Sequence, residues 1–220
     1  MLILCHFMVN RNANMNFYYI FNRSKTKSLI NMKKILFSAI FLLYFSINAQ
    51  TVRLAENQNI NTGMYLKDMD NLLPKFEGEW IADYKDNEVI LNIEKVEKYP
   101  SKEENVNYYS DVLFLRYTIK DSQDKELYTN RHKSITDNGA LKSSSASSIN
   151  KSIGFEYSGE ECHVGEGYIT LTHKDPKHIS WEYISEDKPI DKAKCPNLKN
   201  IKSFIPDAYE LVFTKNEPKY

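Results

Sequence analysis

From residue 78 onward, apolar side chains recur at every second position in short runs, the period of a half-buried β-strand. Trp80, Ala82 and Tyr84 share one face of Gly78–Tyr84. Lys85-Asp86-Asn87-Glu88 reads as a turn, and Val89, Leu91 and Ile93 share a face after it, so the pair predicts a hairpin. In Asp111–Ile119, Leu113, Leu115, Tyr117 and Ile119 alternate with Val112, Phe114, Arg116 and Thr118. Two partly apolar faces mark a central or doubly covered strand. A polar turn at Asp121–Lys125 leads to a short strand at Glu126–Thr129. Further strands are predicted at Ile153–Tyr157, Gly167–His173 and Ile179–Ile184, the last two joined by Lys174-Asp175-Pro176-Lys177. A final strand at Tyr209–Thr214 would turn Tyr209, Leu211 and Phe213 inward.

Other segments break this period. Leu66, Met69, Leu72, Leu73 and Phe76 recur at helical spacing, but Pro74 limits the element to one or two turns. Lys142-Ser143-Ser144-Ser145-Ala146-Ser147-Ser148 offers no apolar surface to bury and is expected to be a mobile loop. The polar, Asn-rich stretch before residue 64 is expected to be flexible. About eight short strands with almost no helix predict an all-β fold: an antiparallel barrel or sandwich, with a short helix before the first strand.

The N-terminal region follows a different logic. Met32-Lys33-Lys34 supplies a charged start, Ile35 to Phe45 a mostly apolar run, and Ala49 the small residue before a cleavage point. The run is shorter than the roughly 20 residues that span a bilayer. Residues 32–49 are therefore expected to be a cleaved signal peptide, and residues 1–31 an upstream start-codon artefact. Gln50 stands where a lipid-anchored protein would have cysteine. The expected organisation is a flexible start at 50–63 and a single β domain at 64–220, secreted or periplasmic, with no membrane span after cleavage.

Cleavage would change the charge balance. Residues 1–49 hold six lysines and arginines and no acidic residue, so the remainder carries 23 basic against 29 acidic side chains. A net charge of about −6 repels phosphate backbones and argues against nucleic acid as a partner. The two cysteines of this portion, Cys162 and Cys195, are expected to form one disulfide in an oxidising compartment. The same portion has twelve tyrosines against five phenylalanines. Tyrosine suits positions with one wet end, such as barrel rims and contact surfaces.

Two resemblances bear on the fold. The stretches Tyr65-Leu66-Lys67-Asp68-Met69-Asp70-Asn71, Lys75-Phe76-Glu77-Gly78-Glu79-Trp80, Ile169-Thr170-Leu171, Ile179-Ser180-Trp181 and Phe204-Ile205-Pro206 resemble an uncharacterised family of small exported proteins from flavobacteria-type bacteria. That resemblance implies export and a fold, and no activity. Phe76-Glu77-Gly78-Glu79-Trp80 also looks like the Gly-x-Trp signature of lipocalin-like barrels, where the tryptophan plugs the barrel floor beside a short helix. The family's Thr-Asp-Tyr run and late arginine have no contiguous match here, and a tight hairpin replaces its long first loop.

Candidate chemistry is sparse. Asp68, Asp70 and Glu79 stand at the first, third and twelfth positions of a calcium loop, but Leu72 and Leu73 occupy positions that need a ligand and a glycine. His173 and His178 flank a turn and would supply half a zinc site. Glu160, Glu161 and Glu166 show no spacing that singles out an acid–base pair, and the serines of 143–148 lack a nucleophile elbow. No catalytic residue, metal site or cofactor is assigned. Trp80, Tyr84 and Trp181 are the candidate ligand-binding residues. The sequence supports a non-enzymatic structural or interaction domain of the cell envelope. The alternatives are a lipocalin-like binder of a small apolar or amphipathic ligand, and a hydrolase with dispersed residues. An open cavity favours the binder and a packed interior the interaction domain.

The exported protein should begin at Gln50. N-terminal sequencing or intact mass of secreted material checks this; a product that retains Met1 or the apolar run would overturn it.

Overall fold

The computed structural model describes residues 50–55, 59–135, 139–186, 188–190, 193 and 195–217. They fall in a compact unit spanning residues 49–220. The expected signal peptide and the segment before it lie outside the described residues. Among the described residues eleven strands form one sheet: β1 (Thr51–Arg53), β2 (Tyr65–Lys67), β3 (Gly78–Tyr84), β4 (Asn87–Glu103), β5 (Val106–Asp121), β6 (Glu126–Thr129), β7 (Leu141–Ser147), β8 (Ser152–Tyr157), β9 (Gly167–Asp175), β10 (His178–Ser185) and β11 (Leu211–Lys215). The helical elements among the described residues are single 3-10 turns.

Eight of the strands close on themselves. The order β5-β4-β3-β11-β10-β9-β8-β7 returns to β5 through a β5–β7 pairing, and every pair in this ring is antiparallel. The fold is an up-and-down barrel, not a sandwich. The seam is short: Phe114 and Leu115 pair with Lys142 and Leu141. The same edge of β5 also pairs with β2 at Tyr109 and Ser110, and with β6 from Thr118 to Lys120.

Alternation along the strands sends one face of each into the lumen. Register places Trp80 beside Leu91 and Leu91 beside Tyr117, with Ala82, Val89 and Ile119 in the next layer. On the other wall Trp181 lies beside Leu171 and Leu171 beside Ile153, followed by Tyr183, Ile169 and Phe155. Trp80 and Trp181 are fully enclosed. The second apolar face of β5 also finds cover: Val112 and Phe114 pack with Ala140, Val96, Tyr99 and Ile135 outside the barrel. This explains the doubly apolar run in the sequence.

One end is floored by the expected short helix, reduced to a 3-10 turn at Leu73–Lys75 with Pro74 in its first turn. Leu72, Leu73 and Phe76 are buried there, and the Trp80 indole N–H donates to the Phe76 carbonyl at 2.7 Å. The Asp68 carboxylate accepts the amides of Leu72 and Leu73 at 2.9 and 2.8 Å. Its own amide donates to Asp111, a buried carboxylate on β5 that also accepts Tyr65 Oη and the amide of Lys98. Strand β2, the residue that follows it and strand β4 are therefore tied to one buried acid on β5.

Three expectations need correction. The serine-rich stretch is not a mobile loop but strand β7. It pairs with β8 from Ser143 to Ser147 across a bulge at Ser144, and its hydroxyls supply bonds where apolar burial is lacking: Ser143 Oγ accepts the Leu113 amide at 2.9 Å, and Ser145 bonds Tyr168 Oη at 2.5 Å. Residues 51–53, within the stretch expected to be flexible, form β1 and pair in parallel with β2. Tyr209 is 74% exposed, because Glu210 takes a left-handed φ of 57° and β11 begins only at Leu211.

Trp80→Ala should cost about 3–5 kcal/mol, the loss typical of a buried aromatic and its cavity. A denaturant midpoint read by Trp181 fluorescence checks this; a near-neutral midpoint would overturn the packing described.

Candidate functional site at the barrel mouth

The end opposite the 3-10 floor carries most of the irregular chain. The β8–β9 connection, residues 158–166, and the β10–β11 connection meet there and are joined by the Cys162–Cys195 disulfide, with Cα atoms 6.1 Å apart. The expected pairing is thus present. Beyond the cross-link, residues 201–208 run across the barrel opening. Ile205 is 6% exposed. The Trp181 indole donates to the Pro206 carbonyl at 3.0 Å, Tyr84 Oη to the Asp207 carbonyl at 2.5 Å, and the Tyr183 amide to the Ala208 carbonyl at 3.0 Å. Gly165 lies beneath this segment with φ +74°, and a Cβ there would sit 2.6 Å from Ser203 Oγ, so only glycine fits.

Aromatic rings continue the plug inward. Phe204 stacks on Tyr128 at 5.4 Å, and Tyr128 stacks on Tyr117 at 4.9 Å. The Tyr117 hydroxyl is buried, and burial drives its pKa well above the ordinary tyrosine value. Tyr157 Oη donates to Glu160 at 2.6 Å, and burial followed by that carboxylate raises its pKa as well. These hydroxyls stay protonated at any physiological pH. They serve as polar ends of packed rings, as the tyrosine-rich composition foreshadows.

A cleft of about 480 Å3 remains beside the plug. Leu127 gives it an exposed apolar side with Val89 and Ile119 buried behind the lining, Tyr84 and Phe204 offer ring surface, and Lys85, Lys202 and Asp207 stand at its edge. Lys85 Nζ lies 4.8 Å from the Tyr84 ring centroid, and Lys202 Nζ 5.9 Å from that of Phe204. Hydrogen bonding to Tyr84 raises the Lys85 pKa, so its charge is retained. A wider groove on the outer wall beside β5 and β7 has a mixed lining: Leu54, Ile60 and Leu66, together with the serines of β7 and with Glu103, Asp111 and Glu156.

The three residues expected to bind a ligand are not brought together. Trp80 and Trp181 are fully buried with both indole N–H groups spent on main-chain carbonyls. Of the three, Tyr84 alone lines the cleft. Phe204, Leu127 and the two lysines are not marked as site residues by the sequence because they sit in loops and a short edge strand, where no periodicity marks a face.

The other constellations disperse. Asp68 caps the 3-10 turn, Asp70 is held by Arg53 and Ser148, and Glu79 bonds Asn216. His173 points to the floor, its ring edge-on to Phe76 at 6.1 Å, and burial lowers its pKa. His178 instead bonds Asp175 outside, so the two imidazoles do not face each other across the turn. Glu166 pairs with Lys188 at 2.8 Å, which lowers its pKa. Among the described residues no three His, Cys, Asp or Glu side chains converge as a metal site.

Residues 32–215 match a family of unknown function. The chain belongs to DUF6705. No curated protein and no solved structure matches it. The DUF6705 barrel fits the lipocalin-like resemblance read from Gly78-Glu79-Trp80. Gly78 takes φ +115°, and a Cβ on it would meet Lys215 Cε at 3.3 Å. Lys215, on the last strand, lies over the Trp80 ring with Nζ 5.1 Å from its centroid. A late cation on the floor tryptophan is therefore present as lysine, displaced from any contiguous motif.

Cys162→Ser with Cys195→Ser should lower stability by about 2–5 kcal/mol while the barrel remains folded. Thermal unfolding and far-ultraviolet circular dichroism check this; an unchanged midpoint would mean that the cross-link constrains nothing.

Proposed function

We propose that this DUF6705 protein is an exported, non-enzymatic β domain serving as a structural or protein-interaction module of the cell envelope. The observation that carries the reading is the filled lumen. Trp80, Trp181, Tyr117, Phe155, Phe213, Leu91, Leu113 and Leu115 are all fully buried inside one continuous core. A small barrel filled in this way spends its interior on stability, so its contacts with other molecules fall to the rim and outer faces.

Export is supported from several sides. The charged and apolar run after Met32 ends at Ala49, and the compact unit begins at residue 49. The family match begins at residue 32. The Cys162–Cys195 pair suits an oxidising compartment. No helix among the described residues is long and apolar enough to cross a membrane.

The lipocalin-like alternative makes the opposite claim about the lumen, and one titration separates the two. Retinol, a neutral apolar ligand, should cause no saturable quenching of tryptophan fluorescence, because its chain finds no room beside Trp80 and Trp181. Stoichiometric, saturable quenching would overturn the filled-lumen reading and favour a binder of small apolar ligands.

A further inference from the structure

We propose that the cleft at the barrel mouth is a binding site for a small amphipathic anion, an aromatic or short acyl carboxylate. The inference goes beyond the interaction-domain reading and rests on one part of it, the filled lumen, which leaves the mouth as the place for a ligand. The size is suitable: about 480 Å3 lies within the range typical of small-molecule sites.

The lining divides into an apolar and a charged part. Val89 and Ile119, 0% and 3% exposed, back the cleft from the core and offer it almost no open surface. Leu127 is 38% exposed, high for a leucine beside a core wall, and it borders the same space. An apolar body laid here covers that surface and meets the rings of Tyr84 and Phe204. Both rings are fixed, Tyr84 through its bond to Asp207 and Phe204 by stacking on Tyr128. A preorganised wall loses little freedom on binding.

The charge argument selects the sign. The chain after residue 49 is acidic, with 29 acidic against 23 basic side chains, yet the cleft edge reverses this balance. Lys85 and Lys202 face one carboxylate, Asp207. Both lysines lie over aromatic rings of the lining, so their ammonium groups stay near the cleft. An anionic head near these ammonium groups keeps partial hydration while the body leaves water.

A matched pair of probes tests the proposal on the oxidised, full-length mature protein. 8-Anilinonaphthalene-1-sulfonate carries the negative charge; N-phenyl-1-naphthylamine has the same ring body without it. The sulfonate should bind saturably at one site and more tightly than the neutral amine. Lys85→Gln with Lys202→Gln should weaken the sulfonate roughly three- to tenfold, the range for two exposed charge contacts, and leave the amine unchanged. Raising the salt concentration should weaken the sulfonate alone. Leu127→Asp should weaken both probes, while an unchanged denaturant midpoint shows that the barrel is intact. Absence of saturable sulfonate binding would overturn the proposal, as would affinity that ignores both lysines. Retinol uptake with lysine-dependent sulfonate binding would sink the filled-lumen reading and leave the mouth site standing.

Discussion

Two indole N–H bonds hold the ends of this barrel to its middle. Trp80 and Trp181 stand in the lumen, where an unpaired donor would be costly. Each finds a main-chain carbonyl on a segment that closes one end: Phe76 at the floor and Pro206 at the mouth. The fold needs both segments because an eight-stranded ring fills its lumen with side chains but does not cover its openings. With the tryptophans in place, the closing segments gain an anchor inside the core, and the core gains satisfied donors. The rest of the architecture serves this arrangement. Asp111 fixes Asp68, and Asp68 fixes the turn that presents Phe76. The disulfide and the Phe204–Tyr128–Tyr117 stack fix the segment that presents Pro206.

Most of the barrel wall was legible from alternation. Trp80 and Ala82 on β3, the four inward residues of β5, and Ile179, Trp181 and Tyr183 on β10 all face the lumen as their spacing predicts. The failures have a common physical origin. Strand β7 carries serines where a strand reader expects valine or isoleucine, because its place is secured by ladder bonds to β8 and by hydroxyls that bond main chain and Tyr168. The far half of β4 was not recognised because it projects past the barrel with charged residues on exposed positions, bends at a bulge near Val96 and carries Lys98 at a left-handed φ of 52°. Pattern recognises burial, and both segments are held by something else.

The candidate site was less legible for a related reason. Tryptophan offers the largest aromatic surface in the sequence, but both tryptophans are fully buried with their indole N–H groups on main-chain carbonyls. The cleft is made instead where the β3–β4 turn, β6 and the 201–208 segment approach each other, elements remote in sequence. Their meeting depends on the course of the β10–β11 connection, which no local period encodes. Lys215 shows the same effect at the floor. Its role beside Trp80 comes from the pairing of the last strand with the first barrel strand, a relation that exists only after closure.

The cross-link has a consequence for the order in which the chain assembles. Cys162 and Cys195 are 33 residues apart, and the regular strands between them are β9 and β10. The covalent ring therefore encircles a single hairpin and includes none of the strands that make the β5–β7 seam. Such a ring forms from a local loop, whose closure costs about 1 kcal/mol less than that of joining β3 to β11. Once oxidised, the hairpin carries both ends of the mouth as one piece: the 158–166 connection and the root of the segment that crosses the opening. Closure of the barrel then becomes the docking of a preassembled cap and two strands onto the remaining wall, rather than a search by a free tail across half the chain.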